Sequence, residues 1–383
     1  MSIFTYKNLY NAYLECRKNK RKTASSLEFE ADLENKLFKL LTELKNHKYM
    51  PGRSICFAVE YPKTREIFAA NFRDRVVHHL LLREILEMSE KCLFFNSFAC
   101  RKNKGTHKAI DVLRRYIKKV SKNGREEVFF LQLDLSSFFI SIDHGILYKI
   151  FIKFIEKQEK SKKWKKEILW LAKQIIFHKP QDNCFVKGDK ELLYSVPKHK
   201  SLFGAGKGNG LPIGNYSSQF FANLYLNELD YFIKQKLRMK YYVRYVDDFI
   251  LFDYNKDKLE RMILKINDFL KHDLALSLNS KKTKLKNIKD GIDFLGYFIK
   301  PDYVLVRKRV VGACRKKIVG FLLEKPDEVN LKKTIACLNS YFGHFRHADS
   351  FNLRKKMALK DLKGFDKFLK FDKNFSFSRR AQQ

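Results

Sequence analysis

The sequence predicts an α+β fold built around more than one core. Three observations predict it. Two apolar runs, residues 128–134 and 241–253, are dominated by aromatic and β-branched residues, as half-buried strands prefer, and each run meets acids. Stretches before, between and after them carry apolar residues at helical spacing. The chain has 383 residues, more than one compact core of ordinary size holds, so two or three subdomains are expected.

Each element follows from local pattern. Residues 5–50 are basic and helical, with Leu33, Leu37, Leu40, Leu41 and Leu44 recurring on one face. Residues 53–69 alternate like a hairpin, with Ile55, Phe57 and Val59 on one side and Lys63, Thr64 and Arg65 near the tip. A helix then carries Arg73, Asp74, Arg75, His78 and His79, and adjacent histidines diverge on a helix, so no metal site is read there. Residues 98–107 form a basic loop, with Thr106 as an N-cap and Ile110, Leu113, Ile117 and Val120 as the buried stripe beyond it. Arg101, Lys102 and Lys104 ahead of that helix suit phosphate contact. Asp143 is expected to cap the helix that follows the first strand run, and residues 157–167 read as a solvated, charged helix face.

Residues 178–210 show no period and read as a long loop; the glycines at 204–210 lack the spacing of a phosphate loop. A helix follows with Phe220, Phe221, Leu224, Tyr225, Phe232 and Ile233 on its apolar side. Another carries Leu259, Ile263, Ile266 and Leu270. From Arg307 onward the chain is basic and helical, and residues 371–383 are expected to be loose.

Composition narrows the partners. Lys plus Arg is 78 against 42 acids, a formal charge of +36, which repels itself unless a polyanion is at hand. Phe (35) and Tyr (18) are abundant and Trp (2) is scarce. The seven cysteines are odd in number and no pair has C-x₂-C spacing, which argues against a disulfide framework or a zinc site and for a reducing compartment. No apolar run approaches the roughly 20 residues of a membrane span, and residues 1–8 lack the apolar core of a signal peptide, so the cytoplasm is the expected location.

The chemistry lies in the acids. Asp247 and Asp248 sit between two strand-like runs, and like charges so close need a cation; oxygen-only donors select Mg²⁺. Asp134 ends the other strand run. Phosphoryl transfer by two metals needs carboxylates from separate strands that converge on ions roughly 3.5–4 Å apart, and these three acids fit it.

The Asp134 strand, the Tyr245-Val246-Asp247-Asp248 hairpin and the Leu-Pro-Ile-Gly-Asn-Tyr-Ser-Ser-Gln stretch at 211–219 together resemble the palm of reverse transcriptases, over about residues 5–360. The resemblance implies a right-hand polymerase fold: fingers with N-terminal helices over 1–125, a palm with an antiparallel sheet over 126–300 that includes loop 178–210, and a small helical thumb with the C-terminal tail over 301–383. It implies catalysis by Asp134, Asp247 and Asp248, with two Mg²⁺ ions (Mn²⁺ as substitute) on Asp134, Leu135, Asp247 and Asp248. Lys63, Arg65, Phe139, Ile213, Gly214, Gln219 and Lys282 would bind the nucleotide, Lys282 at the departing pyrophosphate and Phe139 under the sugar. Gly214 would leave room for the base pair. Arg101 and Lys104 would touch the template, and Phe294, Leu295, Gly296 and Tyr297 would grip the primer. Expected partners are a template or non-coding RNA, deoxynucleotides and the cDNA product.

Ile213 and Gln219, the loop ending in His107, and residues 341–348 resemble the enzymes of diversity-generating retroelements, which work with a basic accessory protein. The alternative is a defence-associated bacterial reverse transcriptase with its own non-coding RNA. The maturase and endonuclease domains of group II introns are not expected. A non-catalytic RNA-binding protein with a dead site is the competing reading, and the three acids with Phe139 argue against it.

Overall fold

The computed structural model describes residues 2–18, 20–61, 63–323, 328–363 and 368–380. Its strands are β1 (Ser54–Val59), β2 (Arg65–Ala69), β3 (Phe129–Asp134), β4 (Cys184–Val186), β5 (Tyr241–Tyr245), β6 (Asp248–Asp253), β7 (Lys284–Asn287), β8 (Ile292–Phe294), β9 (Tyr297–Ile299), β10 (Val304–Val306), β11 (Leu369–Phe371) and β12 (Ser378–Arg380). The chain divides into two compact units, one of residues 1–105, 132–251 and 257–284, the other of 106–131, 252–256 and 285–383.

In the first unit the helices Tyr6–Arg17 and Leu33–Lys45 bury one stripe each, Leu37, Leu40, Leu41 and Leu44 in the second of them, whereas Phe72–Cys92 is buried around most of its circumference. β1 and β2 form the expected hairpin, in the register Cys56↔Phe68 and Phe57↔Ile67. Its packed face carries Cys56 and Phe68, whereas Ile55, Phe57 and Val59 stay half-exposed. The central sheet has the order β5-β6-β3-β7. Four successive residues of β6, Phe249 to Phe252, are buried, which is why that run reads as continuously apolar. The helix Tyr216–Tyr231 buries Phe220, Phe221, Leu224, Tyr225 and Leu229, and in the π-helical turn that continues it Phe232 stacks on Phe269 at 4.2 Å.

Segment 178–210, expected as a structureless loop, is built differently. It contributes β4, which pairs in parallel with β1, and the short helix Lys190–Tyr194. Leu193 and Leu202 close over Cys56 and Phe68. Glu66, buried on β2, anchors the segment by accepting from Ser201 Oγ at 2.7 Å and from the Leu202 amide. One buried carboxylate and a few apolar contacts leave no period for a sequence to show.

The second unit holds the helix Thr106–Val120, with the expected stripe buried, and a meander ordered β10-β9-β8. Helices Lys308–Leu323, Glu328–Phe345 and Phe351–Lys356 follow, around a cluster that includes Cys314, Ile318, Leu338, Phe342, Phe345 and Met357. Residues 371–383, expected to be loose, are in part paired: Phe371 and β12 lie in the β11–β12 hairpin, and Phe371 and Phe375 pack against that cluster. Residues 381–383 lie outside the described ones. Among the described residues no helix is long and apolar enough to cross a membrane.

Candidate active site

Asp134 closes β3, whose side chains from Phe130 onward are buried, and is itself 9% exposed. Asp247 lies in the turn between β5 and β6, and Asp248 opens β6. The turn is forced. Val246 has φ 55°, a left-handed conformation that costs a β-branched residue on the order of 1–3 kcal/mol.

Arg244 holds that turn. Its side chain is fully buried, and Nη1 donates to the Val246 carbonyl at 3.0 Å. Nε and Nη2 donate to the two carboxylate oxygens of Asp230 at 2.7 and 2.5 Å, and Tyr242 Oη donates to Asp230 Oδ1 at 2.7 Å. The Arg244 main chain is tied as well, its amide to Asn96 and its carbonyl to the Phe98 amide. Burial alone would favour a neutral guanidine, but the Asp230 charge more than offsets it and raises the Arg244 pKa. The sequence reading missed both residues. The signal was a cation inside an apolar strand run, and buried cations need a partner.

The three acids share one electrostatic environment. Lys282 Nζ donates to both oxygens of Asp134 at 2.7 Å, and Asn279 binds the Asp134 carbonyl through its amide at 2.8 Å. Gln132 Nε2 donates to Asp248 Oδ1 at 3.2 Å. Burial pushes Asp248 up to about 7, and the charges of Asp134 and Asp247 push the same way against Gln132 and Lys282. Asp247 is also raised, by burial and then by Asp134, while Lys282 and Arg65 pull it down. Desolvated carboxylates that resist ionising together are a donor set that a hard divalent cation relieves. Among the described residues no three His, Cys, Asp or Glu side chains enclose an ion by themselves. Mg²⁺ sites of phosphoryl-transfer enzymes commonly use one or two carboxylates with substrate phosphates, so this donor set fits. Leu135 follows in an isolated bridge to Leu278, which fixes its main chain beside Asp134.

Residues 60–299 match the family described as reverse transcriptase (RNA-dependent DNA polymerase). The chain belongs to the reverse transcriptase family. It is 24% identical over 334 residues to a putative COX1/OXI3 intron 2 protein of Saccharomyces cerevisiae, across 76% of this chain and 37% of that protein. It is 24% identical over 297 residues to protein YkfC of Escherichia coli, across 69% of each. Among solved structures it is similar to a telomerase from Candida albicans in complex with a fragment of telomeric RNA, at TM-score 0.47 and 14% identity, over 77% of this chain and 54% of that one. The chain thus spans well under two thirds of the yeast protein and of the telomerase. The family assignment carries with it the right-hand polymerase fold.

The other expected site residues of this reverse transcriptase fall into two groups. Lys63 and Arg65 are exposed around the β1–β2 tip, and Arg65 is near enough to Asp247 to lower its pKa. Phe139 is half-exposed, whereas Phe138 beside it is buried, with the rings 5.4 Å apart. Ile213 is half-exposed and Gln219 exposed. The Ile213 carbonyl accepts from the Phe68 amide at 2.8 Å. Gly214 has φ +127°, and a Cβ there would lie 2.8 Å from Ile67 Cγ2 and 2.9 Å from the Phe68 carbonyl oxygen, so close approach to β2 already demands glycine.

Lys282, expected at the pyrophosphate, stands at the acids and pairs with Asp134. Three expectations need correction. The side chain of Arg101, expected at the template, is 4% exposed and spends its donors on Glu90 and on the carbonyls of Phe94 and Ser97, tying down its own loop. Lys104 folds back to the Phe95 carbonyl at 2.7 Å and over the Phe95 ring. Phe294 and Tyr297 are buried in the second unit, leaving only the Leu295-Gly296 turn half-exposed.

That turn rests on its own polar network. Leu295 and Gly296 have φ 51° and 88°, the two-residue form hairpins favour. Tyr297 Oη donates to the His344 carbonyl at 2.8 Å and lies 3.1 Å from Nδ1 of both His107 and His344. With its one proton used, the hydroxyl accepts from an imidazole N–H. His107 stacks on His347 at 3.5 Å and Tyr297 on His344 at 4.2 Å. Burial first, then the neighbouring imidazoles, pushes His107 down to about 4; burial lowers His344 and His347 too.

Proposed function

We propose that this reverse transcriptase extends a primer 3′-hydroxyl along an RNA template, with Asp134, Asp247 and Asp248 as the catalytic carboxylates. The observation that carries the reading is the coupling of these acids at the ends of two neighbouring strands, with burial raising the pKa of both Asp247 and Asp248. Two divalent ions, Mg²⁺ or Mn²⁺, would activate the hydroxyl and neutralise the leaving pyrophosphate. The chain's own part is positioning. Arg244 fixes the turn that aims Asp247, Phe139 lies under the incoming sugar and excludes a 2′-hydroxyl, and Lys63 and Arg65 meet the triphosphate. Lys282, on leaving Asp134, reaches the phosphates. Ile213, Gly214 and Gln219 seat the nascent base pair, and the Leu295-Gly296 turn meets the primer. Fingers, palm and thumb are assigned to 1–125, 126–300 and 301–383.

The test is primer extension on an RNA template with Mg²⁺. Asp134→Ala or Asp247→Ala should abolish it while RNA binding and the circular-dichroism spectrum persist; substantial extension by either variant refutes the assignment.

The finer reading is a diversity-generating retroelement, working in a bacterial cytoplasm with a template RNA and a basic accessory protein. Its support is Ile213 beside Gly214, and His107, His344 and His347 gathered from the two stretches that carry that resemblance. Isoleucine offers the base pair shape without a hydrogen bond, worth on the order of 1 kcal/mol, roughly a several-fold change in misincorporation. Ile213→Gln should therefore lower the error rate, which product sequencing measures, most of all opposite adenine.

A further inference from the structure

Helices His144–Glu156 and Lys162–Ile176 pack together and leave a concavity of about 580 Å³ on their outer side. Five lysines line it, Lys160, Lys162, Lys165, Lys166 and Lys173, against a single acid, Glu156. That acid is already taken: Lys165 Nζ donates to the Glu156 carbonyl at 2.6 Å and lies 3.3 Å from its carboxylate. Among the described residues none of the other four lysines has an ion pair.

Fold stability does not explain these lysines. Helix Lys162–Ile176 has no acid in its first turn, where the macrodipole favours one, and carries Lys162, Lys163, Lys165 and Lys166 over its first five residues instead. Ammonium groups around one concavity repel one another, and a chain of phosphates relieves that repulsion. Leu169 and two aromatic residues, Tyr148 and Trp170, complete the wall, and Phe4 and His47 hold the half-exposed Trp170 ring edge-on. Lysines interleaved with fixed aromatic rings are the composition of grooves that hold single-stranded nucleic acid, the rings meeting bases and the cations meeting phosphates.

We propose that this concavity docks a single-stranded segment of RNA outside the catalytic site, as an anchor for the RNA that the enzyme copies. The inference rests on the RNA-copying reading for the identity of the strand. The charge run at 157–167, which reads in sequence as a solvated helix face, thereby acquires a ligand.

The experiment measures affinity for a labelled single-stranded RNA across a series of salt concentrations. The variant is Lys162→Gln/Lys166→Gln/Lys173→Gln, and the control is Lys45→Gln/Lys265→Gln/Lys271→Gln, three exposed lysines elsewhere. Three lost phosphate contacts should flatten the slope of log K against log salt by about 2, since each counts about 0.7 on a single strand. The control should change it far less, and both variants should extend a short preformed primer–template as the unaltered protein does. A slope change no larger than the control's overturns the docking site. A parallel fall in extension on the short primer–template also overturns it, because the lysines then serve the catalytic cleft. Failure of the unaltered protein to extend at all refutes the polymerase reading, while the slope comparison still decides the docking site.

Discussion

Two hairpins of this molecule share a problem and solve it with different chemistry. The β5–β6 hairpin turns through Val246 at φ 55°, and the β8–β9 hairpin turns through Leu295 at φ 51°. Each puts a bulky residue where glycine is at ease, and each rests on a buried polar network. Beneath Val246 the network is a permanent ion pair, Arg244 with Asp230. Beneath Leu295 it is a tyrosine hydroxyl among neutral imidazoles. A guanidinium keeps its charge at any pH a protein survives, and an imidazole does not. The first hairpin rests on a charge that does not titrate, and the second on imidazoles that burial makes costly to protonate.

The largest break of this comparison is Arg244→Met. It leaves Asp230 buried without its counter-charge, which should cost about 3–5 kcal/mol. Denaturant unfolding should show that loss, and extension should fall with it. Arg244→Lys keeps the charge but not the fork, so it should restore part of the stability and little of the activity. If Arg244→Met unfolds like the unaltered protein, the ion pair does not hold the turn.

The comparison sharpens when pH is varied without divalent ions. His107, His344 and His347 have lowered pKa values in the folded chain, so the unfolded chain binds their protons more readily. Their contribution is complete above the ordinary histidine pKa near 6.5 and is lost as pH falls toward 4. Asp111 opposes the protonation cost at His107 and Arg346 adds to it. Asp247 and Asp248 behave in the opposite sense. Their folded pKa values are raised, so the folded chain holds their protons more readily, and stability is lost as pH rises through the Asp248 value of about 7. Hydrogen exchange should find peptides over 292–299 less protected at pH 5 than at pH 7.5, and peptides over 241–251 more protected. Mg²⁺ should flatten the second trend and leave the first. Parallel trends in both peptides would refute the contrast.

The first hairpin was legible in the sequence and its support was not. Aromatic and β-branched residues announced β3, β5 and β6, and acids at their ends announced chemistry. Arg244 passed as one more residue of a strand run, because period-two reading records polarity and not the partner fourteen positions earlier. Parallel pairing of β4 with β1, some 130 residues apart, left no local mark. Arg101 and Lys104 misled for a related reason: a basic loop looks alike in sequence whether its cations face phosphate or its own carbonyls.

The smallest effect tests the strain itself. Val246→Gly removes the isopropyl group and also the left-handed penalty, so stability should stay within about 1 kcal/mol of the unaltered protein. Leu295→Gly should behave likewise. A larger loss at Val246 alone would mean that its side chain, and not only the Arg244 bond to its carbonyl, shapes the turn.

The hydrogen bond from the Phe68 amide to the Ile213 carbonyl, with Gly214 seated on the Phe68 carbonyl, joins two segments that have separate tasks. β2 begins at Arg65, proposed to meet the triphosphate, and residues 213–219 include the side chains proposed to seat the base pair. Joined this way they form one lever, in which a shift at either end is felt at the other. If those proposed roles hold, phosphate grip and base-pair fit are not tuned independently in this molecule. A side chain added at residue 214 would misalign both at once.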